Sequence, residues 1–537
     1  MNVLRLTGIA SGFDTEQIIQ DLMRVERLKV DRFYQQRQTL EWQKEQYREL
    51  INKVRVFRDT YFDLLKPETN LTSPAALKKM SVTVSEAELV TVTASANAVL
   101  GESTFQVLQS AAAAKAVSSG ITAGSEHGER LSLADTMGEL AGKLAAGLTF
   151  VFDENDQFTL TINDEAIIIN KSDTLQAVLT KINNSKAGVQ VSYSSFSDSL
   201  TMTARQTGYG YITTDDGGHF FSALGFAVTD GRVGEAGRDA EFKINGFTGS
   251  SSANTFTVDG LTYTIRQNIA ASDNAPEITV RTEIDTEAVY KTLESFVNDY
   301  NKLIEEINDK LNEEYFRDFQ PLTDEQKESM SEKEIELWEE KAKSGLLRRD
   351  SALENMLRNL RSVLYDSVDG MNITQIGIQT SRDYRDRGKL VLTNGGADLK
   401  KAIAEQPDRV VELFARRSEI SYSATLTAEE RTQRYAQSGL AARLSDILND
   451  NIRTTRDENG KKGILLEKAG IKGDITEFQN FYDNRINELN KQIDRLNELF
   501  AKKEEAYYRQ FAAMEKALQQ LYSQSNYLMS QLQNNGY

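Results

Sequence analysis

The chain has 537 residues, 39% of them hydrophobic, with no cysteine and a formal net charge of −17. That length suits several domains, each able to bury a core. The 63 Lys and Arg against 80 Asp and Glu, with no basic stripe, argue against nucleic acid or an anionic membrane as the main partner. A chain without thiols has no disulfides, thiolate nucleophiles or cysteine metal sites. The two histidines, His127 and His219, lie in Gly-rich polar stretches and read as exposed loop residues, so no metal or cofactor is expected. No run approaches the length of a membrane span, and membrane insertion is not expected. The opening MNVLRLTGIASGFD carries no apolar core or cleavage site of a secretory signal.

In chain order, GIASGFD (Gly8 to Asp14) leads into a helix. Asp14 is placed to cap it, with Gln17 closing a capping box and Phe13 stapling onto Ile18. Phe33, Leu40, Tyr47, Leu50, Val54, Phe57, Tyr61 and Leu64 then fall on three-four spacing until Pro67 ends the run. In that register the earlier positions are Ile19, Leu22, Glu26 and Lys29, and Gln36 and Gln43 follow. A half-polar seam cannot offset its ordering entropy, so this outer part is expected to order only against other chains. Beyond Pro74 the period becomes two. Val82 and Val84, then Val90 and Val92, read as a hairpin around Glu-Ala-Glu. Further strands carry Phe158, Leu160 and Ile162, then Val189, Val191 and Tyr193, then Leu200 and Met202, with Asp173 capping a short helix between them. Asp259-Gly260 suits a type I′ turn joining Phe256 and Val258 to Leu261 and Tyr263. The acidic loop Asp153 to Asp156 lacks the glycine and terminal glutamate of an EF-hand and reads as a turn.

Helix returns at Asp285, with Val289, Leu293, Phe296, Tyr300, Ile304, Ile307 and Leu311 in one stripe. An acidic amphipathic segment follows, with Thr323 and Gln326 as a capping box and Leu337 and Trp338 as packing contacts. Ser351 and Glu354 open another helix; Ile376 and Ile378 with Leu390 and Leu392 read as a hairpin; Gly439 to Leu448 is helical. The last pattern, from about Asp474 to Leu532, repeats at Ile486, Leu489, Ile493, Leu496 and Phe500, then at Phe511, Met514, Leu518, Leu521, Leu528 and Leu532. Two steps of four around Tyr507 and Phe511 form a stutter, which moves the stripe to a new face. The seam needs a partner, and the first helix offers Tyr47, Leu50, Val54 and Phe57 to Ile486, Leu489, Ile493 and Leu496. The expected fold is α+β and multidomain, and it is nested. Residues 1–45 with 485–537 form a terminal antiparallel coiled-coil leg, and 46–77 with 284–484 a helical bundle with a β-hairpin. Residues 78–107 with 237–283 and 108–236 form two inserted β-rich domains.

Four blocks resemble the flagellar filament cap proteins, the FliD type of hook-associated protein. They are GIASGFDTEQIIQDLMRVER, SFVNDYNKLIEEIN, IGIQTSRDYRDRGKLVLTNGGADLKKAIAEQPDRVVELFA and RQFAAMEKALQQLYSQSNYLMSQL. The resemblance implies a non-enzymatic assembly factor, and no G-x-S-x-G, H-E-x-x-H or phosphate-cradling glycine motif opposes it. It also implies export through the flagellar type III apparatus and an extracellular, homo-oligomeric ring at the filament tip, a pentamer being favoured, that promotes flagellin polymerisation and prevents leakage. Its partners would be flagellin, the hook–filament junction proteins, the export machinery and a cytoplasmic export chaperone at the C-terminus. Gly8, Ser11, Gly12, Phe13 and Asp14, with Phe511, Met514, Leu518, Leu521, Leu528 and Leu532, are the expected assembly contacts. The alternative is a secreted adhesin acting through the inserted β domains.

Overall fold

The computed structural model describes residues 14–119, 121–122, 131–144, 148–272 and 275–534. The fold is α+β and nested, with two compact units: residues 1–77 with 286–537, and 78–285.

In the first unit the chain ends pair as antiparallel helices, Thr15–Tyr61 and Phe481–Asn534. Asp14 caps the first, accepting from the Gln17 amide at 3.0 Å, but the Gln17 carboxamide turns to Asp21 at 3.3 Å and no capping box closes. The Phe13 half of the staple lies outside the described residues. The helix stops at Tyr61, so Leu64 lies past its end and is 77% exposed. The pairing runs from Tyr47 against Tyr482, with ring centroids 5.7 Å apart, to Tyr508, which donates to Glu16 at 2.7 Å.

The outer seam differs from its sequence reading. Ile19, Met23 and Val30 pack with Ile493 and Phe500, covered by Phe33, Leu496, Tyr507, Tyr508 and Phe511. The step back from Phe33 is three, to Val30, rather than four, to Lys29. This puts Met23 inside and leaves Leu22 39% exposed. Glu26 is the one polar position the two registers share, and Lys503 at 2.7 Å and Lys29 at 3.0 Å neutralise it. The outer part of the first helix therefore pairs within one chain, contrary to the expectation that it orders only against others.

Leu50, Val54 and Phe57 pack within the helical body rather than in the terminal seam expected for them. The last helix begins at Phe481, opposite Tyr47, and has no turns left to reach them. They are buried where the first helix packs on the helices Thr286–Asn312, Leu440–Ile452 and Ile464–Ala469. Phe57 lies 5.8 Å from Phe296 and 6.4 Å from Tyr300, centroid to centroid. Of the four proposed partners Tyr47 meets the last helix, on which Ile486, Leu489 and Ile493 are buried.

The central helix, Thr286–Asn312, buries its whole predicted stripe. Asn301 on this helix clamps the hairpin Ile378–Thr380 and Leu390–Leu392 by bonding both the amide (2.7 Å) and the carbonyl (2.8 Å) of Leu390; Ile376 sits in the preceding 3-10 turn. The acidic segment forms two helices, Asp324–Glu328 and Glu332–Lys343, started by the capping boxes Thr323/Gln326 and Ser331/Glu334. Trp338 packs 4.6 Å from Phe319, whereas Leu337 stays 50% exposed. The following helix is capped by Asp350, one residue before the expected Ser351.

The second unit holds two apolar cores. In one, a five-stranded antiparallel sheet (Met80–Val84, Ile278–Ile284, Gly101–Gln109, Ala240–Ile244, Phe247–Ser251) faces a three-stranded one (Thr255–Val258, Leu261–Ile265, Val90–Ala94). Phe242 and Phe256 stack between them at 4.1 Å. Val82–Val84 and Val90–Val92 thus belong to different sheets and are no hairpin; the Glu-Ala-Glu link is a corner between layers. Asp259 and Gly260, at φ 51° and 79°, make the expected tight turn. The other core gathers residues between Ala114 and Val233 around the helix Leu175–Asn184 and the hairpin Gln157–Asn170. Thr174 caps that helix, while Asp173 instead accepts from the Asn170 amide at 2.7 Å and Lys181 at 2.6 Å.

Candidate assembly surfaces

The last helix outruns its partner. Tyr508 and Phe511 still touch the first turns of the first helix, and residues 512–534 continue for ~35 Å at about 1.5 Å per residue. Along this overhang Met514 is 38% exposed, Leu521 60%, Leu528 59% and Leu532 75%, and Leu518 is half-buried. Tyr522, Tyr527 and Met529 are exposed as well, so apolar surface is presented for several turns. Apolar side chains left in water on a long helix mark a surface awaiting a partner. Of the N-terminal contacts expected from sequence, Asp14 is exposed and serves as a cap, while Gly8, Ser11, Gly12 and Phe13 lie outside the described residues.

Sequence reasoning missed a second surface. Arg349, Arg358, Arg361 and Arg387 line a groove of about 540 Å³ over Ile304 and Leu357. The signal was present in Arg358 and Arg361, three apart on the helix Ser351–Tyr365, but a charged face reads as solvated until the hairpin brings Arg387 beside it. Gly388 sits at φ 96°, a conformation that favours glycine, and a β-carbon there would make the flexible Arg361 side chain shift.

Among the described residues no group of three or more His, Cys, Asp or Glu is placed to hold a metal ion. Nor is any helix there long and apolar enough to cross a membrane. His219 is exposed on a turn, and His127 lies outside the described residues.

These features define a multidomain interaction protein built on a paired helical stem from which one helix projects. The family description "Flagellar hook-associated protein 2 N-terminus" matches residues 11–114, and "Flagellar hook-associated protein 2 C-terminus" matches 237–523. The flagellar hook-associated protein 2 of Halalkalibacterium halodurans is 30% identical over 553 residues, covering 97% of this chain and 98% of its own. That of Thermotoga maritima is 28% identical over 382 residues, covering 69% of this chain and 54% of its own. The D1-D2-D3 domains of the flagellar cap protein FliD from Escherichia coli share the fold, with a TM-score of 0.53 at 19% identity over 76% of this chain and 97% of theirs. The chain belongs to the flagellar hook-associated protein 2 family, the flagellar cap proteins. The adhesin alternative draws no support from these relatives.

Proposed function

We propose that the protein caps the distal tip of the flagellar filament as a homo-oligomeric ring, a pentamer being favoured, promoting flagellin polymerisation and preventing its leakage. The observation that carries this reading is the overhang. A helix that exposes Met514, Leu521, Leu528 and Leu532 beyond its own partner is built to complete its packing on other molecules. The stem, residues 1–45 with 485–537, is the leg that engages flagellin or the hook–filament junction proteins, with Asp14 and Phe511 at the joint. Residues 46–77 with 284–484 form the ring body. Residues 78–107 with 237–283, and 108–236, are carried on it as two β-rich domains. Export through the flagellar type III apparatus, with a cytoplasmic chaperone covering the exposed C-terminal helix until release, delivers it outside the cell. No nucleic acid, membrane insertion, cofactor or catalytic group takes part.

The test is complementation of a strain lacking this gene with a chain truncated before Ala512. Purified truncated protein is expected to keep its oligomeric state, while the cells remain non-motile and shed flagellin into the medium. Cells that regain full-length filaments with the truncated chain would overturn the assignment of the overhang.

A further inference from the structure

The arginine groove is out of character for a chain of net charge −17. Arg349, Arg358 and Arg361 form no ion pair or side-chain hydrogen bond among the described residues, while Arg387 donates to the Asn308 carbonyl at 3.3 Å and approaches Asp309 at 3.9 Å. One carboxylate, Glu354, shares the lining, so the groove keeps an excess of positive charge. Arginines that outnumber the carboxylates beside them repel one another, and an acidic ligand that accepts their planar forks relieves the repulsion.

The chain carries a matching element. On the helix Glu332–Lys343, Glu332, Glu336 and Glu340 recur every four residues, all exposed, so they form one carboxylate stripe at a spacing of one helical turn. Glu332 and Glu340 have no ion-pair partner among the described residues, and Glu336 meets only the exposed Lys333. Arg358 and Arg361 are also one turn apart, so the two rows can meet in register.

Within one chain the two surfaces cannot meet, because they lie on opposite sides of the central helix. The arginine groove is bordered by Ile304 and Asn308. A groove bordered by Lys310 holds Leu337 and Glu340 of the acidic helix. Asn308 and Lys310 are two residues apart, hence about 200° around the helix axis. Complementary surfaces on opposite faces of one body are what a head-to-tail contact between copies requires, and such a contact closes into a ring when its rotation closes.

We propose that the arginine groove of one copy receives the acidic helix Glu332–Lys343 of the next, through Glu332, Glu336 and Glu340. This rests on the reading of the protein as a ring and names the contact that holds it. The contact is electrostatic and solvent-edged, so it weakens with salt as the Debye length shrinks below about 8 Å.

The experiment uses the full chain in sedimentation velocity across concentration and salt. Arg358→Glu with Arg361→Glu, and separately Glu332→Lys with Glu336→Lys and Glu340→Lys, are each expected to weaken association by about tenfold or more. Combining both sets in one chain restores it, because swapped groove then meets swapped helix; restoration also shows that the variants are folded. The chain lacks cysteine, so a chain bearing Arg358→Cys and Glu336→Cys reports the contact directly. Mild oxidation is expected to give a ladder of covalent oligomers that ends at the ring. A wild-type protein that stays monomeric at all concentrations would overturn the ring reading itself. A wild-type protein that associates while both charge-reversed sets associate equally well, with no cross-linked ladder, would overturn this contact alone.

Discussion

The Lys468 ammonium lies 2.7 Å from the Asp350 carboxylate and donates to the Tyr47 hydroxyl at 2.8 Å, joining three helices that are far apart in sequence. Asp350 at the same time caps its own helix through the Ala352 and Leu353 amides. Burial pushes the Asp350 carboxyl up, but the bonds from Lys468, Tyr47 and the Leu353 amide outweigh it and hold it below the ordinary range. Burial, then Asp350, pushes the Tyr47 phenol up, so Tyr47 stays neutral.

Replacing Lys468 by Met is therefore expected to cost ~2–3 kcal/mol at pH 7, because it strands a half-buried carboxylate. A carboxyl lowered by folding contributes stability that is complete above its ordinary value of 3.8 and is lost as the pH falls through its folded value. The gap between Lys468→Met and the parent should thus narrow at pH 3. Asp474 adds to the same acid lability. Burial raises its carboxyl, yet Lys462 at 2.6 Å and Thr476 hold it down at about 2, so its contribution fades between 3.8 and about 2. Urea titrations at the two pH values check both statements.

Ile493 is 3% exposed and packs with Ile19, Met23 and Val30. Ile493→Ala is expected to remove ~3 kcal/mol of local stability. Hydrogen exchange should then show lost protection in residues 19–33 and 493–508 and unchanged protection in 50–61, whose packing partners lie elsewhere. Equal loss along the whole first helix would contradict the register described above.

Leu521 is 60% exposed, so Leu521→Glu should change stability by no more than ~0.5 kcal/mol while cells carrying it leak flagellin. In the isolated protein, amides from 512 to 534 should exchange rapidly and those from 486 to 508 slowly.

Gly470 and Gly473 both have positive φ, 69° and 82°, but only at Gly470 would a β-carbon overlap the Thr476 carbonyl oxygen; at Gly473 it meets open space. Gly473→Ala should cost ~1 kcal/mol, the backbone term alone, and Gly470→Ala at least about twice that. Thermal melts of the pair separate strain from collision.

Much of the helical unit was legible because its stripes are long. Val289 to Leu311 and Ile486 to Phe500 leave little freedom in which side faces inward. The outer first helix was misread because Leu22 and Met23 are adjacent and both apolar, and a single step of three or four decides which is buried. Val82 to Val92 failed for another reason: alternation reports that a strand is half-buried but not which strand lies beside it. Of the arginine groove only the pair Arg358 and Arg361 was legible, since Arg387 joins them only after the hairpin docks on Asn301.

The pairing of Tyr47 with Tyr482 has a consequence for timing. The stem and the core beneath it need both ends of the chain, whereas the strands Met80–Val84 and Ile278–Ile284 draw the ends of 78–285 together by themselves. As the chain emerges from a ribosome or a narrow channel, the inserted unit can fold while the first helix still waits for its mate. The last segment to arrive is the one that closes the molecule, so a chain interrupted before Phe481 would carry finished β domains on an open, aggregation-prone helical half.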